Sequence, residues 1–217
     1  MDFSFTEEQE DLRREARAFL ESNPAPTDAQ LVELGWVGIL ASDDFTFLDA
    51  AVLFEELGRV LYDGSYVHNE VDGDRRKLLT AYALEAVGIG TRATELALAY
   101  ASTREQFGRK IGSYQAISHS LVDAYVAVEL SRSLAYWAAW CVAEEDEQAA
   151  LAAAAANAQA TEAAVLACEK SIQAHGGIGF TWEHPLHRYY KRALWLESAL
   201  GYGREQRAEV AASLLSS

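Results

Sequence analysis

Gln173-Ala174-His175-Gly176-Gly177-Ile178-Gly179-Phe180 closes an alanine-rich tract that runs from about Asp146 to Ala174 without a proline. Alanine has the highest intrinsic helix propensity and proline the lowest, so the tract reads as a long helix and the glycines as its end. Three glycines in four positions also open left-handed backbone conformations and allow a ligand to approach the main chain. The loop thus fits either a plain helix C-terminus with a tight turn or a phosphate-facing loop.

Working outward, the same pattern recurs. Asp74 to about Arg104 carries Leu79, Tyr82, Ala86, Ala93, Leu96, Ala97 and Tyr100 at helical spacing. Tyr114 to about Glu144 carries Ile117, Leu121, Ala124, Val128 and Leu134 in the same way, and a shorter helix is expected from near Pro185, a residue favoured in the first turn. Long helices joined by short turns bury their apolar faces best as an antiparallel bundle. The expected fold is all-α: a four-helix bundle over residues 73–217, preceded by a short helical domain over residues 1–72. Gly73 marks the boundary, because periodicity lapses between Ser65 and Asp74.

In the amino-terminal part, Thr6 with Gln9 and Thr27 with Gln30 are capping-box starts. They predict a helix to about Ser22 and a short one to Gly35, broken by Asn23-Pro24-Ala25-Pro26. Trp36 to Leu40 reads as a buried apolar connection. Thr46 opens a helix with Leu48, Val52, Leu57 and Leu61 inward, ending near Tyr62-Asp63-Gly64.

Composition narrows the function classes. At 217 residues and 50% hydrophobic content the chain can bury a large core. A formal net charge of -15 disfavours nucleic acid or an anionic membrane as the main partner. No apolar run approaches the roughly 18 residues of a membrane span, and Met1-Asp2 begins no secretory signal, so a cytoplasmic location is expected. Cys141 and Cys168 form no CxxC pattern and read as packing residues on helix faces. Glu144-Glu145-Asp146-Glu147 reads as a solvated corner, and its charge suits the start of the next helix. His184 and His187 have no third ligand at a metal-site distance, and no metal is expected. Trp182, Tyr189, Tyr190 and Trp195 read as core or interface aromatics.

Arg104-Glu105-Gln106-Phe107-Gly108-Arg109-Lys110 places three cations at the end of a long helix. The helix dipole favours cations there, but a guanidinium beside a buried Phe107 and Gly108 also suits a diphosphate. Gln115, as a residue type, is an ordinary first-turn polar residue.

These fragments combine. Tyr100 to Arg109, Tyr114-Gln115-Ala116-Ile117 and Gln173 to Phe180 resemble the signatures of the carboxy-terminal helical domain of acyl-CoA dehydrogenases. Asp2 to Gln9, Glu33 to Gly38 and Phe54 to Arg59 are similar to the family's amino terminus, in the family's order. The resemblance implies that Arg104, Phe107, Gln115, Gln173, Gly176 and Gly177 contact FAD held mainly by a neighbouring subunit.

Two departures shape the functional expectation. Nothing strand-like lies between Tyr66 and Asp74, where family members carry a β-domain of roughly a hundred residues. The family's catalytic glutamate falls at Leu200, before Gly201, and its CoA-contacting arginine at Leu79. Glu197 and Glu205 lie near but match no motif, and Arg75, Arg76 and Lys77 are out of register with Leu79.

The resemblance therefore implies the small, non-catalytic subunit of a heteromeric acyl-CoA dehydrogenase, completing the FAD site of a full-length partner that also binds the acyl-CoA. Heteromeric members acting on steroid side-chain thioesters are the nearest precedent. The alternatives are a flavin-free enzyme or small-molecule binder, and a structural interaction module, each reusing the scaffold.

Overall fold

The computed structural model describes residues 5–42, 44–62, 66–71 and 73–215, without the side chains of His68 and Asn69. Both capping boxes form. Thr6 Oγ1 accepts from the Gln9 amide at 3.2 Å while Gln9 Oε1 accepts from the Thr6 amide at 3.2 Å, opening α1 (Glu7–Ser22). Thr27 and Gln30 repeat the arrangement at α2 (Asp28–Glu33), which stops short of Gly35. A 3₁₀ turn, Ile39–Ala41, leads to α3 (Phe47–Arg59), capped by Thr46 and Asp49. Leu61, expected on the apolar side of this helix, lies beyond its end with φ 55°, because the last turn tightens at Val60. Asp63 and Gly64 lie outside the described residues.

Where periodicity lapses, one short helix appears, α4 (Tyr66–Glu70). The Tyr66 hydroxyl donates to the Trp36 carbonyl at 2.9 Å, and Glu70 accepts from the Gly38 amide at 2.6 Å. The connection from Trp36 onward is thereby tied to this turn.

The long helices follow as α5 (Arg75–Thr103), α6 (Gln115–Ala143) and α7 (Ala149–His175), then α8 (Leu186–Ala199). The acidic run forms the corner between α6 and α7. A further helix, α9 (Arg204–Leu215), extends the expected four and packs on α7. Among the described residues the only sheet is a two-stranded ribbon, β1 (Glu105–Gln106) and β2 (Arg109–Lys110). No helix of the described residues is long and apolar enough to cross a membrane.

Helix α7 lies at the centre, packed most extensively on α5 and α6. Its inner positions are mostly alanine, so backbones approach closely enough for side chains to bond the neighbouring main chain. Ser171 Oγ donates to the Ala93 carbonyl at 2.7 Å, and Asn157 Nδ2 to the Leu79 carbonyl at 3.1 Å. Cys141 and Cys168 are buried and unpaired in sulfur, and burial pushes both thiols up from their ordinary pKa.

Helix α3 crosses α5 at two glycines. A Cβ on Gly88 would stand 2.1 Å from the Glu55 carbonyl oxygen, and one on Gly58 would stand 2.4 Å from that of Glu85. One hydrophobic cluster runs from Ala16 and Leu20 of α1 through this crossing to Leu186 and Leu196 of α8.

The crossing also buries carboxylates, each matched by an arginine from another helix. Glu55 pairs with Arg132 of α6 and accepts from the Tyr136 hydroxyl at 2.7 Å. Glu85 receives both nitrogens of a fork from Arg192 of α8, at 2.6 and 3.0 Å. Breaking such a pair leaves a buried charge uncompensated, at a cost of about 3–5 kcal/mol. These pairs lock the register of α3, α5, α6 and α8.

Candidate functional site

Antiparallel order brings the end of α5, the ribbon, the start of α6 and the end of α7 to one end of the bundle. A second apolar cluster beneath them holds Ala97, Ala101, Ile111 and Leu121, with Tyr100, Tyr114, Ile117 and Ala174 packed against it. The Tyr100 ring stacks on that of His175 at 4.4 Å, and His175 Nδ1 lies 2.7 Å from the Ser171 carbonyl oxygen. Arg104, Phe107, Gln115, Gln173, Gly176 and Gly177 are all exposed on this end.

The basic segment is not a helix end carrying three cations. Helix α5 stops at Thr103, and Arg104 turns to φ -68° and ψ 131°. The Ile111 amide then donates to the Arg104 carbonyl at 2.9 Å, closing the ribbon with Gln106 opposite Arg109. Phe107 and Gly108 both have positive φ, 52° and 78°, as the tight two-residue hairpin turn requires.

Phe107 is 94% exposed, which corrects the expectation of a buried ring. The turn explains it: the ribbon projects from the bundle, and its tip has no core to enter. A non-glycine residue in the left-handed region costs about 1–2 kcal/mol, and Leu61, Glu145 and Tyr202 adopt it too at other turns.

The cations differ in their surroundings. The Arg109 guanidinium lies over the Tyr114 ring at 3.9 Å, and the Tyr114 hydroxyl donates to the Gln106 carbonyl at 3.1 Å. Arg104 has no side-chain partner among the described residues. Its charge is left over.

The glycine loop also differs from expectation in detail. Of its three glycines only Gly176 has a positive φ, 64°, at the cap of α7. Residues Gly176–Phe180 then form a 3₁₀ turn, and Gly179 is buried against the Ile172 carbonyl. A Cβ on Gly177 would meet nothing within 4 Å. Neither turn geometry nor packing within the chain demands glycine there, whereas close approach by an external group would.

Around the loop, Phe180 is 71% and Trp182 82% exposed, so Trp182 is not a core residue of this chain. His184 sits 4.4 Å from His175, and burial, then the charges of His175 and His187, hold its pKa below the ordinary value. Among the described residues no three His, Cys, Asp or Glu side chains gather as metal ligands.

The positions expected to lack catalytic groups lie elsewhere. Leu79 is 1% exposed inside the core. Leu200 caps the end of α8 and packs against the same core, its carbonyl accepting from Gln206 Nε2. An apolar groove of about 750 Å³ also lies away from the loop, lined by Phe5, Leu130, Trp137 and Trp140 among others. None of the six loop and ribbon residues lines it.

The description of the acyl-CoA dehydrogenase C-terminal domain matches residues 80–215, more than half of the chain. The chain belongs to the acyl-CoA dehydrogenase family. Acyl-CoA dehydrogenase IpdE2 of Mycobacterium tuberculosis is 43% identical over 111 residues, covering 51% of this chain and 33% of that protein. Acyl-CoA dehydrogenase FadE34 of the same organism is 40% identical over 135 residues, covering 61% and 19%. The chain thus spans about a third or less of these acyl-CoA dehydrogenases.

Among solved structures, the steroid acyl-CoA dehydrogenase variant Tcur3481-Tcur3483 matches with TM-score 0.60 and 30% identity, over 65% of this chain and 39% of that one. A chain of the ChsE4-ChsE5 complex from Mycobacterium tuberculosis matches with TM-score 0.87 over 100% of both chains. At 19% identity that likeness is one of fold. Acyl-CoA dehydrogenases generally use FAD, and the exposed end suits it in chemical type: a free guanidinium, two amide side chains, an aromatic face and bare glycine backbone.

Proposed function

We propose that this chain is the small subunit of a heteromeric acyl-CoA dehydrogenase and completes the FAD site of a full-length catalytic partner. The observation that carries the reading is the unpartnered Arg104 beside the strained, exposed Phe107, at the same end as a glycine loop whose Gly177 faces open space. Arg104 would neutralise the cofactor's diphosphate, and the Gly176 and Gly177 backbone would lie against it. Gln115 and Gln173 would donate amide hydrogen bonds, and Phe107 would shield the cofactor from water. When bound, FAD supplies the hydride acceptor for α,β-desaturation of an acyl-CoA thioester.

The α-proton would go to the partner's glutamate, because Leu200 and Leu79 offer neither a base nor a charge for CoA. The ChsE4-ChsE5 complex and the two-component Tcur3481-Tcur3483 enzyme support an assembly of two unlike chains, the latter pointing to steroid substrates. In this reading residues 1–72 and 73–217 are a shortened amino-terminal domain and the bundle domain, and the assembly works in the cytoplasm. The apolar groove of about 750 Å³ favours one other reading, a flavin-free small-molecule binder.

Titration with FAD separates them. The chain alone should purify colourless and take up no FAD, and co-purification with a full-length family member should yield a yellow complex. A lone chain holding stoichiometric FAD would defeat the proposal.

A further inference from the structure

Away from the glycine loop, four arginines converge on a cavity of about 370 Å³. Its walls come from α1, α3, α5 and the start of α8, which contribute Arg17, Arg59, Arg92 and Arg188. Two carboxylates serve the first three. Arg17 lies 2.5 Å from Glu56, Arg59 lies 3.5 Å from Glu56 and 3.0 Å from Glu95, and Arg92 lies 3.3 Å from Glu95. Arg188 has no carboxylate partner among the described residues. Exposed Glu21 also borders the cavity, and guanidinia still outnumber carboxylates.

The positive charge from three helices bears on one side chain. Tyr189 is 6% exposed and donates to the Arg59 carbonyl at 2.6 Å. Burial raises the pKa of its hydroxyl, while Arg92, Arg59 and Arg188 all act to lower it, so the three guanidinia bear on one point. Pro185, the cap residue of α8, lines the same cavity, so the positive end of that helix dipole borders it too, although the Leu186 amide already donates to His184 Nδ1 at 3.3 Å. Arg92 and Arg188 are exposed, so the cavity opens to solvent, and its excess positive charge attracts an anion from there.

We propose that this cavity binds a phosphomonoester dianion, seated among Arg59, Arg92 and Arg188. Three guanidinia present more N–H donors than the two oxygens of a carboxylate accept, and a phosphomonoester offers three terminal oxygens with about two negative charges. The site is distinct from the glycine-loop end, since none of Arg104, Phe107, Gln115, Gln173, Gly176 or Gly177 lines it.

Inorganic phosphate and a nucleoside monophosphate share this chemistry, and calorimetric titration of the full chain in phosphate-free buffer at fixed ionic strength tests each in turn. Saturable binding is expected. Tighter binding of the nucleotide would assign the site to a larger phosphorylated ligand, and equal binding would assign it to free phosphate. Arg188→Ala should weaken binding by about tenfold or more. Arg14→Ala, an exposed arginine paired with Asp11 in a different groove, should leave it unchanged. Because Arg188 holds no ion pair among the described residues, its variant should fold, which circular dichroism checks. No saturable binding in either arm, or wild-type binding by folded Arg188→Ala, overturns the proposal.

Discussion

At the start of α5, Arg75 is held by Glu209 of α9 at 2.7 Å and Arg76 by Asp74 at 2.8 Å. At its far end Arg104 has no side-chain partner among the described residues, and Arg109 has only the Tyr114 ring. The glycines divide in the same way. Gly58 and Gly88 are filled by the chain's own backbone at the α3–α5 crossing, whereas Gly176 and Gly177 face open space. One part of the molecule satisfies its polar groups and close contacts internally. The other leaves them exposed, as the proposed half-site would require.

The sharpest way to break this comparison is to add a methyl group to each kind of glycine. Gly88→Ala forces a Cβ against the Glu55 carbonyl and should destabilise the chain by about 3 kcal/mol or more, read from urea unfolding. Gly177→Ala should change stability by no more than about 0.5 kcal/mol. If both behaved alike, the division would fail.

Next in size is the charge at the exposed end. Arg104→Ala should leave the melting temperature of the isolated chain unchanged and weaken FAD retention by the reconstituted complex about tenfold or more, measured by flavin fluorescence. Arg75→Ala should do the reverse, with no effect on FAD and a stability loss of about 0–1 kcal/mol, as for exposed pairs.

The smallest effect concerns Glu197 on α8. Burial, with repulsion from Glu162 and Glu169, raises its carboxyl pKa, and Arg207 offsets part of the rise. A carboxyl with a higher pKa folded than unfolded favours the native state when protonated. Stability is therefore lost as pH rises from the ordinary carboxylate range through the raised value. Glu197→Gln should raise the melting temperature slightly at neutral pH and not at all below that range. The same substitution tests for a relocated base: unchanged turnover in the reconstituted complex is expected.

Much of the bundle was legible in the residues. Thr6 with Gln9 and Thr27 with Gln30 are local signals whose hydrogen bonds need no tertiary partner, and the helical spacing around Leu79, Leu121 and the alanine tract spans many turns. The ribbon was not legible, because two-residue strands have no period and Phe107 in a left-handed conformation runs against its propensity. Helix α9 was missed because its apolar side is thin: Gln206 is its buried residue, and Leu214 and Leu215 are exposed. The motif residues could be named from sequence, but the exposure of Phe107 and the freedom of Arg104 could not.

By itself, then, the sequence determined the helical class and the long helices and their order. Those features depend on local propensity and periodicity. Tertiary structure decided which arginines are paired and which are left over. Arg17, Arg59, Arg92 and Arg188 stand far apart in the chain and meet around one cavity only because four helices bring them there. Arg104, at the cap of α5 where the chain turns into the ribbon, pairs with no carboxylate among the described residues. A charge acquires its role from what folding places within a few ångströms of it, because Coulomb attraction and desolvation depend on that surrounding space rather than on position along the chain.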